Sequence, residues 1–150
     1  MLLIETDSHR FSIGAPVLYG RQVHLETGSI VFTSASGSSV MTIQFSTNYP
    51  GSLPPQDTLR DKVAANHPGA SLVKSTVCYT DFGRGQDFEL FQPTRDGLML
   101  KLRDAYVSYP EGSVEFTLSS NGNDYDKEKR SFAHLLNSFR CMPENAKKHS

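Results

Sequence analysis

Hydrophobic and polar residues alternate with a period of two along the first third of the chain. The clearest example is residues 40–46, where Met41, Ile43 and Phe45 are separated by polar side chains. This period is typical of a strand that buries one face and exposes the other. Shorter segments of the same kind, bounded by glycines and serines, predict four earlier strands. They cover residues 2–4, 10–13, 22–26 and 29–33.

The pattern changes in the middle of the chain. Pro55 and Asp57 favour the start of a helix and His67-Pro68-Gly69 ends it, which predicts a short helix over residues 56–66. Beyond this helix the alternation returns, with a turn sequence in each gap, and predicts a meander of four strands. These strands cover residues 71–80, 86–92, 98–109 and 113–119.

The strand predicted over residues 98–109 carries an irregularity. Its apolar residues alternate at the start and again at the end, but the two sets are out of phase. The first set is Leu98, Leu100 and Leu102, and the second is Ala105, Val107 and Tyr109. One extra residue in a strand shifts the alternation in this way, so a β-bulge is predicted near Arg103 and Asp104.

The last element is an amphipathic helix that follows a turn at residues 121–124. Its large apolar side chains fall on one helical stripe, and charged residues occupy the other side. The stripe consists of Tyr125, Phe132, Leu135, Leu136 and Phe139. We expect this helix to lie across the sheet as part of the core. The prediction is an α+β domain at residues 1–142, with a single antiparallel sheet of about seven strands and a polar tail at residues 143–150.

Composition narrows the function classes. The 150 residues are 37% hydrophobic and 21% charged with a net charge of -1, as in ordinary globular proteins and without the basic excess that nucleic-acid binding requires. No apolar run is long enough to span a bilayer, and the N-terminus has no basic region of a signal peptide. We therefore expect a cytoplasmic protein that makes no stable membrane insertion and binds no nucleic acid.

The sequence contains no recognisable catalytic or metal-binding motif. The five histidines show no ligand spacing, no serine lies in a nucleophile elbow, and Asp81-Phe82-Gly83 lacks the glycine-rich loop of a kinase. Asp87 and Glu89 share one strand face and are expected to face solvent. Cys78 and Cys141 are expected to be unbridged in a reducing compartment. The sequence predicts no metal, no cofactor and no enzymatic activity.

The order of elements and the segment Leu135-Leu136-Asn137-Ser138-Phe139-Arg140 resemble the PsbP/DcrB-like family. In that family the closing helix commonly ends in a hydrophobic pair followed by Ser-Phe, after a strand similar to residues 114–118. The resemblance implies a PsbP/DcrB-like fold and a non-enzymatic accessory or binding role. Because no lipobox or signal is visible, it favours the intracellular type VI secretion effector-chaperone (Eag-like) branch. It carries over no site residue.

Two functions fit these observations. In the first, a protein-binding adaptor or chaperone receives an apolar segment of a partner on a sheet face that two helices leave partly uncovered. Its candidate partner-binding residues are Val31, Phe91, Met99, Lys101 and Arg103. If the N-terminal strands cover Phe91 and Met99, this face is core instead. The second function is a carrier of a small apolar ligand or lipid in a cavity between the sheet and the C-terminal helix. A homo-oligomer is compatible with either.

Overall fold

The computed structural model describes residues 2–5, 9–13, 19–24, 29–34, 37–80, 83–122, 124–138 and 140–143. The strands are β1 (Leu2–Glu5), β2 (His9–Ile13), β3 (Tyr19–His24), β4 (Ser29–Ser34), β5 (Ser39–Ser46), β6 (Ser71–Thr80), β7 (Gly83–Pro93), β8 (Met99–Tyr109), β9 (Gly112–Asn121) and β10 (Arg140–Pro143). The helices are α1 (Gln56–Asn66) and α2 (Tyr125–Ser138). Among these residues, no helix is long and apolar enough to cross a membrane.

Seven strands form one antiparallel sheet in the order β3-β4-β5-β9-β8-β7-β6. This sheet and the two helices confirm the predicted α+β architecture. The remaining strands form a second sheet in the order β1-β2-β10, which the sequence does not predict because four residues are too few to show a period in β10. β10 includes Pro143, the first residue of the predicted tail, and residues 144–150 lie outside the described ones.

One helix covers each face of the large sheet. Along β8, side chains alternate between the two faces, so Leu102, Asp104 and Tyr106 point to α1, whereas Arg103 and Ala105 point to α2. We call these the α1 face and the α2 face. The core of the α1 face is Leu59, Val63, Phe88, Leu90, Leu102 and Tyr106. The larger core of the α2 face is Ile30, Phe32, Met41, Ile43, Ala105, Val107, Tyr109, Val114, Phe116, Leu118, Tyr125 and Phe132.

The predicted β-bulge at Arg103 and Asp104 is wrong. These two residues pair in unbroken register with Glu89 and Phe88 of β7, and β8 is equally regular against β9. The apolar phase changes because α1 covers one face of β8 near Leu102, while α2 covers the opposite face from Ala105 onward. Two helices on opposite faces thus produce the sequence pattern of a bulge.

Two further details of the sheet differ from expectation. Leu98, expected to point inward, precedes β8 and is 61% exposed. The large sheet does contain an irregular register, but it lies in the edge strand β6 between Leu72 and Lys74. A bulge there bends the open edge of the sheet, which discourages pairing with another chain.

The two helices are anchored differently. α1 buries only Leu59 and Val63 and has no side-chain hydrogen bond at its N-terminus. α2 buries Tyr125 and Phe132, and Leu136 packs against the same core. The predicted docking of Phe139 lies outside the described residues. Since tertiary packing supplies most of the stability of short helices, α2 is the more firmly held of the two.

Candidate functional site

Four of the five predicted partner-binding residues lie together on the α2 face, at the end of the β7–β8 hairpin. Met99 pairs with Pro93, Lys101 pairs with Phe91, and Arg103 pairs with Glu89. Side chains two residues apart on β8 point the same way. A local hairpin is therefore enough to bring Phe91, Met99, Lys101 and Arg103 together.

Val31 does not belong to this group. It pairs with Thr42, Thr42 pairs with Thr117, and Thr117 pairs with Asp104, which places Val31 on the α1 face. β5 and β9 separate its strand from β8. Alternation within β4 indicates that Val31 points away from the face that buries Ile30 and Phe32. It does not indicate which residues of the distant strand β8 point to the same side of the sheet as Val31. The prediction that Val31 belongs to the same binding surface as Met99 is therefore wrong.

The hairpin end is partly covered by α2 and partly exposed. The Phe91 ring packs edge-on against Tyr125, with centroids 6.5 Å apart. The Lys101 ammonium lies 4.9 Å from the Phe91 centroid and 5.3 Å from that of Tyr125, which are cation–π distances. Met99 is 41% exposed and stands beyond this stack. Phe91 is thus covered by α2, and Met99 presents an apolar side chain to solvent.

A buried ion pair lies one row further along the same face. Arg103 Nε donates to Asp87 Oδ1 at 3.0 Å, and Arg103 Nη2 donates to Asp87 Oδ2, which makes the pair bidentate. Tyr125 donates to Glu89 Oε2 at 2.5 Å, and Arg103 Nη1 lies 4.0 Å from the same oxygen. Asp87 and Glu89 share a face as expected, but the expectation that they face solvent is wrong for Asp87. Arg103 covers its carboxylate, and Asp87 is only 8% exposed.

These contacts raise the pKa values of Arg103 and Tyr125. Burial lowers the pKa of Arg103, but its hydrogen bonds to Asp87 and the charge of Asp87 outweigh burial and raise the pKa above its ordinary value. The pKa of Tyr125 is also raised, first by burial and then by its hydrogen bond to Glu89. Arg103 is therefore permanently charged, and the Tyr125 hydroxyl keeps its proton.

A surface pocket of about 170 Å³ opens beside the ion pair. We call it the charged pocket; its lining residues are Lys74, Thr76, Asp87, Glu89 and Arg103. Cys78, on the same edge strand, is a free thiol. Its pKa is raised to about 11 by burial and by the charge of Asp87, so little thiolate exists at neutral pH. The arrangement suits recognition of a charged group better than nucleophilic chemistry.

A second polar cluster lies on the α1 face. Asp104 is fully buried, and its Oδ1 has no hydrogen-bond partner among the described residues. Its Oδ2 lies 3.3 Å from Tyr106 Oη and 3.4 Å from His67 Nε2. Tyr106 donates its one proton to Glu115 Oε2 at 2.7 Å. Burial raises the pKa of Asp104 well above its usual range, and the nearby charge of Glu115 raises it further. Asp104 therefore carries a proton at neutral pH.

This cluster is closed by α1 and the segment before it. Lys62 donates to the Tyr49 hydroxyl at 3.2 Å, and its ammonium lies 5.9 Å from the Tyr106 centroid. Tyr49 has a φ of 56°, which is costly for an aromatic residue, and it packs on the core of this face. The cluster is therefore part of the core, and α1 and Tyr49 cover it. No group of three or more His, Cys, Asp or Glu side chains in the described part of the chain is arranged to hold a metal ion.

The sequence misses Asp104, Tyr106 and Glu115 as a cluster. A signal is present, because an aspartate interrupts an apolar run between Leu102 and Ala105. A charged residue inside such a run indicates either a bulge or a buried polar contact, and the second is the one observed. Glu115 pairs with Tyr106 and lies diagonally from Asp104, and it is not visible as a partner in the sequence because the register between β8 and β9 fixes it.

Comparisons with known proteins support the architecture. The sequence matches no protein-family model and no curated protein. Among solved structures, cyanobacterial PsbP (CyanoP) from Synechocystis sp. PCC 6803 is similar with a TM-score of 0.62 and 14% identity, over 93% of this chain and 95% of that one. LpqN of Mycobacterium tuberculosis, involved in cell envelope biogenesis, has a TM-score of 0.59 and 8% identity, over 95% and 90%.

A third similar structure is PA94, a protein of unknown function from Pseudomonas aeruginosa. It has a TM-score of 0.51 and 13% identity, over 77% of this chain and 91% of that one. All three are PsbP/DcrB-like folds, so the expected fold is confirmed. At these identities the likeness concerns the fold alone, because one fold supports many unrelated functions.

Proposed function

We propose that this domain is a non-enzymatic adaptor or chaperone that binds an apolar segment of a partner protein at the β6–β8 end of its large sheet. One observation carries the proposal. The four large hydrophobic side chains that are exposed among the described residues all lie at this end. They are Leu72, Val73, Leu98 and Met99, and we call them the apolar end.

Their clustering follows from the strand register. Leu72 pairs with Leu90 near the end of β7, and Met99 pairs with Pro93 three residues further on. Leu72 therefore points to the α1 face and Met99 to the α2 face, so the exposed side chains lie on both sides of the same sheet end. Single exposed apolar residues are common on protein surfaces, but their concentration at one end of a sheet, beside charged residues, favours an interaction site. Met99 suits this role because its unbranched side chain adapts to differently shaped partners. The free Cys78 thiol is compatible with action in the reducing cytoplasm.

The carrier alternative has no comparable support. A cavity for an apolar ligand would have to lie between α2 and the sheet. In the described residues this layer is filled by Met41, Phe116, Leu118 and Phe132, each at most 1% exposed. A pocket lined by Lys74, Asp87, Glu89 and Arg103 is too polar for a lipid chain.

The test is affinity co-purification with the tagged wild type, Met99→Asp and Thr33→Asp. Thr33 is an exposed strand residue on β4, so Thr33→Asp adds the same charge away from the apolar end. We expect all three proteins to melt at similar temperatures. A partner identified by mass spectrometry should be retained by the wild type and Thr33→Asp and lost by Met99→Asp. Equal retention by Met99→Asp would contradict the proposal, and loss of self-association alone would point to a homo-oligomer.

A further inference from the structure

In the charged pocket each carboxylate already accepts at least one hydrogen bond, whereas the Lys74 ammonium has no ion-pair partner among the described residues. Both oxygens of Asp87 accept hydrogen bonds from Arg103, and Glu89 Oε2 accepts one from Tyr125. Lys74 lines the same pocket, is exposed and makes no ion pair within the described residues. An incoming group therefore finds an available ammonium.

The neighbouring Lys101 adds to this excess. Its ammonium rests on the rings of Phe91 and Tyr125 and meets no carboxylate in the described part of the chain. Lys74, Lys101 and Arg103 thus oppose Asp87 and Glu89 on this part of the α2 face, although the whole chain carries a net charge of -1. A local positive charge on a slightly acidic protein attracts anions selectively.

Strand geometry fixes how far this charge lies from the apolar end. Met99, Lys101 and Arg103 follow one another on one face of β8, with successive side chains roughly 7 Å apart. Arg103 pairs with Glu89, and Glu89 pairs with Lys74, so Lys74 lies in the same row as Arg103. The charged pocket is therefore two rows, about 13 Å, from Met99.

Building on the proposed function, we propose that the partner segment is acidic as well as apolar. An apolar side chain contacts Met99, and a carboxylate enters the charged pocket and binds Lys74. In an extended segment the carboxylate is about four positions from the apolar residue, since each residue advances roughly 3.3 Å. A basic segment is disfavoured, because its cations would meet Lys74 and Lys101.

The probe is a random peptide-display library panned on the wild-type protein and on Met99→Asp. We expect enrichment on the wild type of peptides that combine large apolar residues with Asp or Glu, and no such enrichment on Met99→Asp. If the wild type enriches nothing that Met99→Asp does not, the proposed function itself fails. If it enriches apolar peptides that are neutral or basic, the proposed function stands and the acidic partner is ruled out.

A thermodynamic cycle locates the carboxylate. The dissociation constant of an enriched peptide, and of the same peptide with its acidic residue changed to the amide, is measured with the wild type, Lys74→Gln and Lys127→Gln. Lys127 is an exposed lysine on α2 and serves as the control for net charge. We expect Lys74→Gln to weaken the acidic peptide roughly tenfold and the amide peptide little, as for loss of one hydrogen bond to a charged group. Equal effects of Lys74→Gln and Lys127→Gln would show that the carboxylate does not bind Lys74.

Discussion

Two buried aspartates on opposite faces of the large sheet show how neighbours decide the role of a carboxyl group. Asp87 on the α2 face is 8% exposed and accepts hydrogen bonds from Nε and Nη2 of Arg103. Asp104 on the α1 face is completely buried and lies beside Glu115. A carboxylate can be buried with a cation, but beside a second acid it is buried with a proton. Burial alone therefore does not predict charge.

The surroundings of the two aspartates also suit the two sheet faces to different roles. The Asp87 ion pair borders an open pocket, where a fixed charge is useful for recognition. The protonated Asp104 lies under α1, among side chains that hold this helix on the sheet. The α2 face is thus suited to binding. The α1 face is closed by α1, and the buried Asp104 beneath this helix lowers the stability of the fold at neutral pH. The predictions below test this difference.

The largest expected effect is on the α2 face. Arg103→Met leaves Asp87 buried without its cation and should lower the free energy of unfolding by about 3 kcal/mol, the usual cost of breaking a buried pair. Arg60→Met is the control, because Arg60 forms an exposed pair with Asp57 at 3.3 Å and its loss should cost at most about 0.5 kcal/mol. Urea unfolding measures both. Equal losses would mean that the Arg103 pair behaves as a surface pair.

The opposite sign is expected on the α1 face. The pKa of Asp104 is higher in the folded than in the unfolded chain, so its contribution to stability is complete below the unfolded pKa of about 4 and declines as pH rises toward the folded pKa. Asn is a neutral isostere of the protonated aspartate and cannot ionise. Asp104→Asn should therefore match the wild type near pH 4 and become the more stable of the two proteins as the pH rises to 7.

Unfolding curves across this pH range test the sign. Asp61→Asn serves as the control, because Asp61 is an exposed residue of α1. If Asp104→Asn is less stable than the wild type at pH 7, Asp104 is ionised and paired with His67, and the contrast between the two aspartates disappears.

The smallest effect concerns Cys78, which responds to the charge of Asp87. Burial and Asp87 raise its pKa, and Arg103 opposes them. In Asp87→Asn the raising charge is gone and Arg103 is released, so the thiol should become more acidic. Alkylation of Cys78 by iodoacetamide near pH 8 should be slow in the wild type and severalfold faster in Asp87→Asn. Peptide mass spectrometry separates Cys78 from Cys141, and unchanged rates would show that Asp87 does not influence the thiol.

Local patterns in the sequence predict the elements well. The helix over residues 56–66 and the strand over residues 71–80 have the bounds of α1 and β6, because turn residues and apolar spacing fix them within a few positions. The predicted docking residues on β7 and β8 also come together, since a tight hairpin sets their register. Local sequence is sufficient where contacts are local.

Non-local contacts account for the errors. Val31 is three strands from β8, and its face depends on the registers of β4, β5 and β9 together. Asp104 resembles the centre of a bulge only because two helices from distant parts of the chain cover opposite faces of one strand. Neither helix position is encoded in the alternation of β8, so no reading of that strand alone separates the two explanations.

The small sheet has a consequence for the order of synthesis. Its central strand β2 pairs with β1 nearby, but its other neighbour is β10, where Arg140 pairs with Ser12. The ribosome makes every strand of the large sheet between these two partners. One edge of β2 must therefore stay unpaired, or be shielded by other contacts, until β10 leaves the exit tunnel. Such long-range pairing closes slowly, and an open edge is a site for misassociation during that time.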